Sequence, residues 1–254
     1  MKNKPTPLFA GLDHSLNHMG LVIVDLDGKV CLQQAVSAKA VEVGKGKHGF
    51  VQPTFKDVSK AEKQFYRLKW WDTFWKGFTQ QFITSVDDEV YVAMEDYPYR
   101  ATDNAYQIGE ASGIARLALV RTGFRLRLID PGTLKIFITG KANPGVEHDE
   151  EGHVVETLSK TGKKLSNSEL GKMAMKEAMQ KNYCANFDPL TGDAEGDMYD
   201  ALALAQFARL EYLVRKGELD LKNLSEGQRR VFLRTTPSFP TNILERPFLT
   251  WSAE

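Results

Sequence analysis

Three short apolar runs near the start of the chain, 8–13, 19–24 and 30–36, constrain its fold more than any other feature. Leu26-Asp27-Gly28-Lys29, between the second and third, carries the Asp-Gly signal of a tight hairpin, so the runs predict an antiparallel meander. The first run, Leu8-Phe9-Ala10-Gly11-Leu12-Asp13, is apolar on both faces, which suits an interior strand, and it ends on an acid. Val90-Tyr91-Val92-Ala93-Met94-Glu95 repeats that pattern. A carboxylate at the end of an interior strand stands on rigid backbone, where a site can be carried. Taken alone, Asp13 serves equally well as the cap of the next turn. Asp96 follows Glu95 directly and is expected on the opposite face, because strand side chains alternate.

Between the third and fourth strands, apolar residues recur at Phe65, Leu68, Trp71, Trp75, Phe78 and Phe82. Those steps of three and four predict a long amphipathic helix from about 58 to 85, whose aromatic stripe fits a core face or a subunit interface. A helix over 104–122, capped by Asp103, presents Gly109, Ala111, Ser112, Gly113 and Ala115 as a small-residue face. Leu126 and Leu128, alternating with Arg125 and Arg127, predict a fifth strand, and 133–139 a short helix stopped by Gly140. Ser166 and Glu169 have capping-box spacing for a helix reaching about 182, and an acidic loop over 188–196 leads into a last core helix that stops near 217. This order is that of one α/β domain over 1–217. Residues 143–165, rich in Gly and charge and containing His148-Asp149-Glu150-Glu151, read as an exposed insertion with a small hairpin. Residues 218–254, with three prolines and scattered aromatics, read as an irregular C-terminal extension. The Gly- and Lys-rich stretch 38–54 reads as a surface loop, and His14 and His18 as polar residues of the loop between strands.

Asp197 and Asp200 open an alanine-rich helix three residues apart, on one side of its first turn. The helix dipole favours acids there, so capping alone would explain an isolated pair. Asp13 and Glu95 change the weighting, because the strand order would bring them to the same turn. Converging carboxylates without cysteines suit hard cations such as Mg²⁺. Two such ions, about 3.5–4 Å apart, would activate a water and stabilise the leaving oxygen of a phosphodiester. No Ser/His or Cys/His arrangement, nucleophile elbow or phosphate-cradling glycine motif competes. Tyr97-Pro98-Tyr99-Arg100, beside Glu95, can stack on unpaired bases and hold phosphate, or can close a core edge. Lys plus Arg and Asp plus Glu number 33 each, so binding of a polyanion must rest on a local patch. Cys31 and Cys184 lack disulfide or metal spacing, and no run approaches membrane-spanning length, so a cytoplasmic, intracellular protein with no membrane partner is expected.

The chain resembles the RNase H-like superfamily and, within it, the RuvC-type Holliday junction resolvases, over roughly 8–38 and 90–213. The likeness runs through Gly11-Leu12-Asp13, Ala93-Met94-Glu95, Asn104-Ala105-Tyr106-Gln107-Ile108-Gly109-Glu110-Ala111-Ser112-Gly113, Leu134-Lys135 with Thr139-Gly140, and Asp197-Met198-Tyr199-Asp200-Ala201-Leu202-Ala203-Leu204-Ala205. It implies an α/β, RNase H-like fold with a five-stranded mixed sheet flanked by helices, to which the insertion and the extension are additions. It implies an Mg²⁺-dependent endonuclease, a homodimer on branched DNA, that resolves four-way junctions by paired symmetric phosphodiester hydrolysis. Asp13 would bridge two Mg²⁺ ions, or Mn²⁺ in their place, with Glu95 and Asp200 completing the shells. Asp197 stands where relatives have His or Asp, as a ligand or as the group that orients the attacking water. Lys135 falls at a phosphate-contacting lysine, and Lys141, Lys163, Lys164 and Lys172 are candidates for a second. The small-residue and aromatic helices are interface candidates. His14-Ser15 replaces the usual Pro-Gly, and Pro98, flanked by Tyr97 and Tyr99, stands where an aromatic wedge is expected. The insertion and tail suggest a phage or mobile-element relative. The alternatives are a broader nuclease of this fold, acting on other branched DNA or RNA–DNA hybrids, and a non-catalytic nucleic-acid-binding module. The presence of all four acids speaks against the module.

Overall fold

The computed structural model describes residues 6–15, 18–37, 59–85, 89–96, 105–147, 149–151, 154–155, 157–159, 161–183, 185, 194–236 and 240–250. They form two compact units: Met1–Asp130 with Thr191–Arg209 and Pro247–Glu254, and Pro131–Leu190 with Leu210–Arg246.

The first unit is built on five strands, β1 (Leu8–His14), β2 (His18–Val24), β3 (Val30–Ser37), β4 (Val90–Glu95) and β5 (Arg125–Ile129), in the order β3-β2-β1-β4-β5. The meander is as expected: β1 pairs antiparallel with β2, and β2 with β3. Ser15 closes the β1–β2 turn, its N–H donating to the His18 carbonyl at 2.8 Å and its Oγ accepting from the His18 N–H at 3.0 Å. The other two pairings, β1 with β4 and β4 with β5, are parallel, which requires crossover connections. These connections carry helices α1 (Lys60–Ser85) and α2 (Ala105–Arg121), so the sheet is the five-stranded mixed sheet with flanking helices that the sequence implies.

Alternation sorts the strand residues onto two faces. Ala10, Leu12, Met19, Leu21, Val92 and Met94 form one core with Trp71 and Trp75 of α1 and Ala111, Ala115 and Leu119 of α2. Phe65, the first member of the predicted stripe, is instead 63% exposed. The opposite face meets α5 (Ala194–Arg215), and here contact is made by backbone. A Cβ on Gly11 would lie 1.8 Å from the Ala201 carbonyl oxygen, and one on Gly20 2.2 Å from that of Asp197. Only glycine leaves room for such an approach. At the outer edge of β5, Leu126 and Leu249 exchange backbone hydrogen bonds of 2.9 and 2.8 Å, and the Arg127 guanidinium donates to the Pro247 carbonyl while lying 4.6 Å from the centre of the Phe248 ring. The end of the chain thus covers a sheet edge that would otherwise be unpaired.

The second unit comprises α3 (Pro131–Thr139), α4 (Asn167–Tyr183), the last turn of α5, a 3-10 turn at Leu221–Asn223 and α6 (Glu226–Leu233). The predicted capping box starts α4: the Glu169 carboxylate accepts from the Ser166 N–H at 2.7 Å, and Ser166 Oγ accepts from the Glu169 N–H at 3.2 Å. Within 143–165, a Leu158–Lys164 bridge and a Leu165-to-Thr157 backbone bond of 2.9 Å form the expected small hairpin.

The sequence reading of 218–254 as irregular is corrected by α6. A second capping box sets its start, with Ser225 Oγ accepting from the Gln228 N–H and Gln228 Oε1 accepting from the Ser225 N–H. Gly227, Val231 and Phe232 bury one side, Phe232 meets Phe137 of α3 edge-on at 5.5 Å, and a Cβ on Gly227 would strike the Ile136 carbonyl oxygen at 2.4 Å. Among the described residues, no helix is long and apolar enough to cross a membrane.

Candidate active site

Asp13 is the sixth residue of β1 and is 9% exposed. Its partner across the ladder is Gly20, and residues directly opposite in an antiparallel pair project to the same face. Gly20 faces the first turn of α5, with its Cβ position against the Asp197 carbonyl. Gly11, two residues before Asp13 and therefore on the same face, lies against Ala201 one turn further along α5. Asp13 thus stands at the end of β1 on the face that α5 covers, beside the part of the helix bearing Asp197 and Asp200.

Glu95 reaches the same place by register. In the parallel β1–β4 ladder Gly11 is paired with Ala93 and Leu12 with Met94, so one further step sets Glu95 beside Asp13. Glu95 is half-buried, as are Asp197 and Asp200, which share one side of α5 through their three-residue spacing. Because α5 begins at Ala194, Asp200 lies in its second turn rather than its first. Dipole stabilisation fades beyond the first turn, so capping accounts for Asp200 less well than it did from sequence.

Four carboxylates on one sheet face form an all-oxygen donor set, the kind that hard divalent cations take. Among the described residues, however, no group of three or more His, Cys, Asp or Glu side chains stands close enough to hold one as they are.

The opposite face carries a different set. Asp96 accepts from Arg116 of α2 at 2.8 Å, and its N–H continues the ladder to the Ile129 carbonyl, so it is engaged away from the acids, as alternation predicts. His14 departs from its reading as a loop residue. It ends β1, is 6% exposed, and its ring lies 4.3 Å from that of Trp71 and 6.2 Å from that of Trp75. Burial drives its pKa from 6.5 down to about 3, a hydrogen bond to its own backbone opposes this, and the charge of Arg116 adds to the lowering. The ring is neutral at pH 7, and beyond the interaction with its own backbone neither nitrogen meets a hydrogen-bond partner among the described residues. The signal for this was present: His14 shares its alternation with Ala10 and Leu12, the residues facing the aromatic helix. His18 likewise belongs to a strand, as the first residue of β2.

The predicted phosphate contacts separate by region. Tyr97, Tyr99 and Arg100 lie outside the described residues, as do Asp103, His148 and His153. Lys135, Lys141, Lys163 and Lys164 all belong to the second unit. Lys135 is half-buried on α3, its Nζ 3.5 Å from where a Gly171 Cβ would lie. Lys163 makes a 3.5 Å ion pair with Glu169, whose carboxyl is held below the usual range by its two hydrogen bonds from Ser166 and, less strongly, by that lysine. Both lysines therefore stand beside the first turns of α4. Lys141 and Lys164 are exposed.

No protein-family model matches the chain, and no curated protein matches it. Among solved structures, T. thermophilus RuvC in complex with Holliday junction substrate is similar at 16% identity and a TM-score of 0.46, covering 83% of this chain and 96% of that one. The Thermus thermophilus RuvC structure gives 20% identity, a TM-score of 0.44 and the same coverages. Ethanolamine utilization protein EutJ from Carboxydothermus hydrogenoformans gives 13% and 0.31, over 87% of this chain and 74% of that one.

Proposed function

We propose that this protein is a metal-dependent, structure-selective DNA endonuclease that resolves four-way junctions by paired, symmetric phosphodiester hydrolysis, acting inside the cell as a homodimer. One observation carries the reading: Asp13 and Glu95 lie near the ends of neighbouring strands, on the face that α5 approaches through Gly20 with the turn bearing Asp197. The motif order running through these acids supports it. Two Mg²⁺ ions held there would supply an activated water and charge stabilisation for the leaving oxygen. Asp13 and Glu95 provide oxygens fixed by sheet backbone, and Asp200 provides one fixed by a helix locked onto that sheet. Asp197, one turn ahead, completes the set or orients the attacking water. Lys135 and Lys141 hold backbone phosphates.

The test is cleavage of a mobile four-way junction, a linear duplex and an RNA–DNA hybrid in Mg²⁺, by wild type and Asp13→Asn. The expected result is symmetric nicks confined to the junction. Loss in the variant should exceed the roughly 10–100-fold cost of disturbing a residue behind a metal ligand. Equal cutting of the duplex or hybrid would replace this reading with a broader nuclease, and junction binding without cleavage by wild type would replace it with a binding module.

A further inference from the structure

The α6 helix lies in the part of the chain that the family likeness does not reach, and its exposed side is strongly basic. Gly227, Val231 and Phe232 take the buried side, which leaves Glu226, Arg229, Arg230, Leu233 and Arg234 outward at helical spacing. Glu226 lies in the first turn, where the helix dipole favours an acid. A single cation near the end of α6 would satisfy the dipole at that terminus; the helix and its C-cap carry three arginines within six residues. The Arg229 and Arg234 backbones bond to Ser225 and Val231, while their side chains are exposed. Arg230 donates to the Gly140 carbonyl at 3.2 Å, which ties α6 to the end of α3. Immediately beyond Gly140 comes Lys141, also exposed, its N–H held at 3.2 Å by Thr139 Oγ1.

We propose that the outward face of α6, with Arg229, Arg230 and Arg234, joins Lys141 at the end of α3 as one phosphate-binding surface for the nucleic-acid backbone. The proposal rests on the nuclease reading for the identity of the polyanion. Guanidinium groups suit the task, since each can donate two parallel bonds to a phosphate. Arg229 lies in α6 and Arg234, five residues on, is its C-cap. Two long side chains so placed can reach different phosphates of the backbone.

The experiment compares wild type with the Arg229→Gln/Arg234→Gln double variant, leaving Arg230 in place because it also holds α3. Binding to a four-way junction and to a linear duplex is measured in EDTA across a salt series, with a melting curve for each protein. The expected result is weaker binding to both DNAs at low salt, a salt slope shallower by about 1–2 units, an unchanged melting temperature and recovery in the double Lys variant. Equal affinity and slope for wild type and variant would overturn the proposal, as would failure of wild type to bind any DNA or stronger binding to anionic vesicles. Salt-sensitive binding lost in the variant, from a wild type that cuts nothing, would support this surface while sinking the nuclease reading.

Discussion

The two faces of the first unit's sheet are packed by opposite means. On the face toward α1 and α2, bulk fills the space: Trp71 and Trp75 are fully buried, His14 is wedged beside them, and Met19 and Met94 complete the layer. On the face toward α5, Gly11 and Gly20 let helix backbone approach strand backbone, beside the buried side chains of Phe9, Val22 and Val24. The first kind of packing supplies stability through apolar area and tolerates some rearrangement. The second supplies position, because a backbone carbonyl has nowhere to go. The candidate acids lie on the second face, beside these backbone contacts.

That contrast can be broken or sharpened by substitution. The largest change in stability is expected on the bulky face: Trp71→Ala should cost about 3–5 kcal/mol in urea unfolding, through lost burial and a residual cavity. Gly11→Ala on the other face should cost about 1–3 kcal/mol, or more if α5 cannot shift. Its loss of cleavage should exceed what the unfolded fraction explains, because the helix bearing Asp200 must move. If Trp71→Ala instead lost cleavage disproportionately and Gly11→Ala did not, the two faces would have exchanged roles.

A pH effect follows from His14. Well above pH 6.5 the ring is neutral in both folded and unfolded chains and contributes nothing to the pH dependence. As pH falls below 6.5 the unfolded chain takes a proton that the buried ring refuses until about pH 3, so stability declines across that window. The group's share of the slope is at most about 1.4 kcal/mol per pH unit. Without added metal, His14→Leu should therefore show a shallower decline than wild type from pH 6.5 downward, and parallel curves would contradict the burial argument. The smallest effect is expected at Tyr106, which is 89% exposed: Tyr106→Ser should change stability by no more than about 0.5 kcal/mol.

The sheet was legible because its strands are short, apolar and bounded by turn signals, and because alternation decides which side Glu95 and Asp96 each take. Ser166 and Glu169 announced α4 through a spacing that has a mechanism. The α5 contact was not legible: a glycine in a strand signals a close approach, but neither Gly11 nor Gly20 says what approaches. His14 was misplaced because a polar residue after an acid looks like a turn, and only the strand's full length puts it among tryptophans. The α6 helix was hidden by Pro237, Pro240 and Pro247 downstream, although Ser225 and Gln228 carried the same capping signal that revealed α4.

The most direct test of the central claim, that Asp13 and Asp200 belong to one site on the α5 face while Asp96 does not, is calorimetric titration of Mn²⁺ into the DNA-free protein. Wild type and Asp96→Asn should bind alike, whereas Asp13→Asn and Asp200→Asn should each lose binding while melting as folded proteins. Binding by Asp13→Asn equal to wild type, or a loss in Asp96→Asn as large as in the other two, would contradict the account.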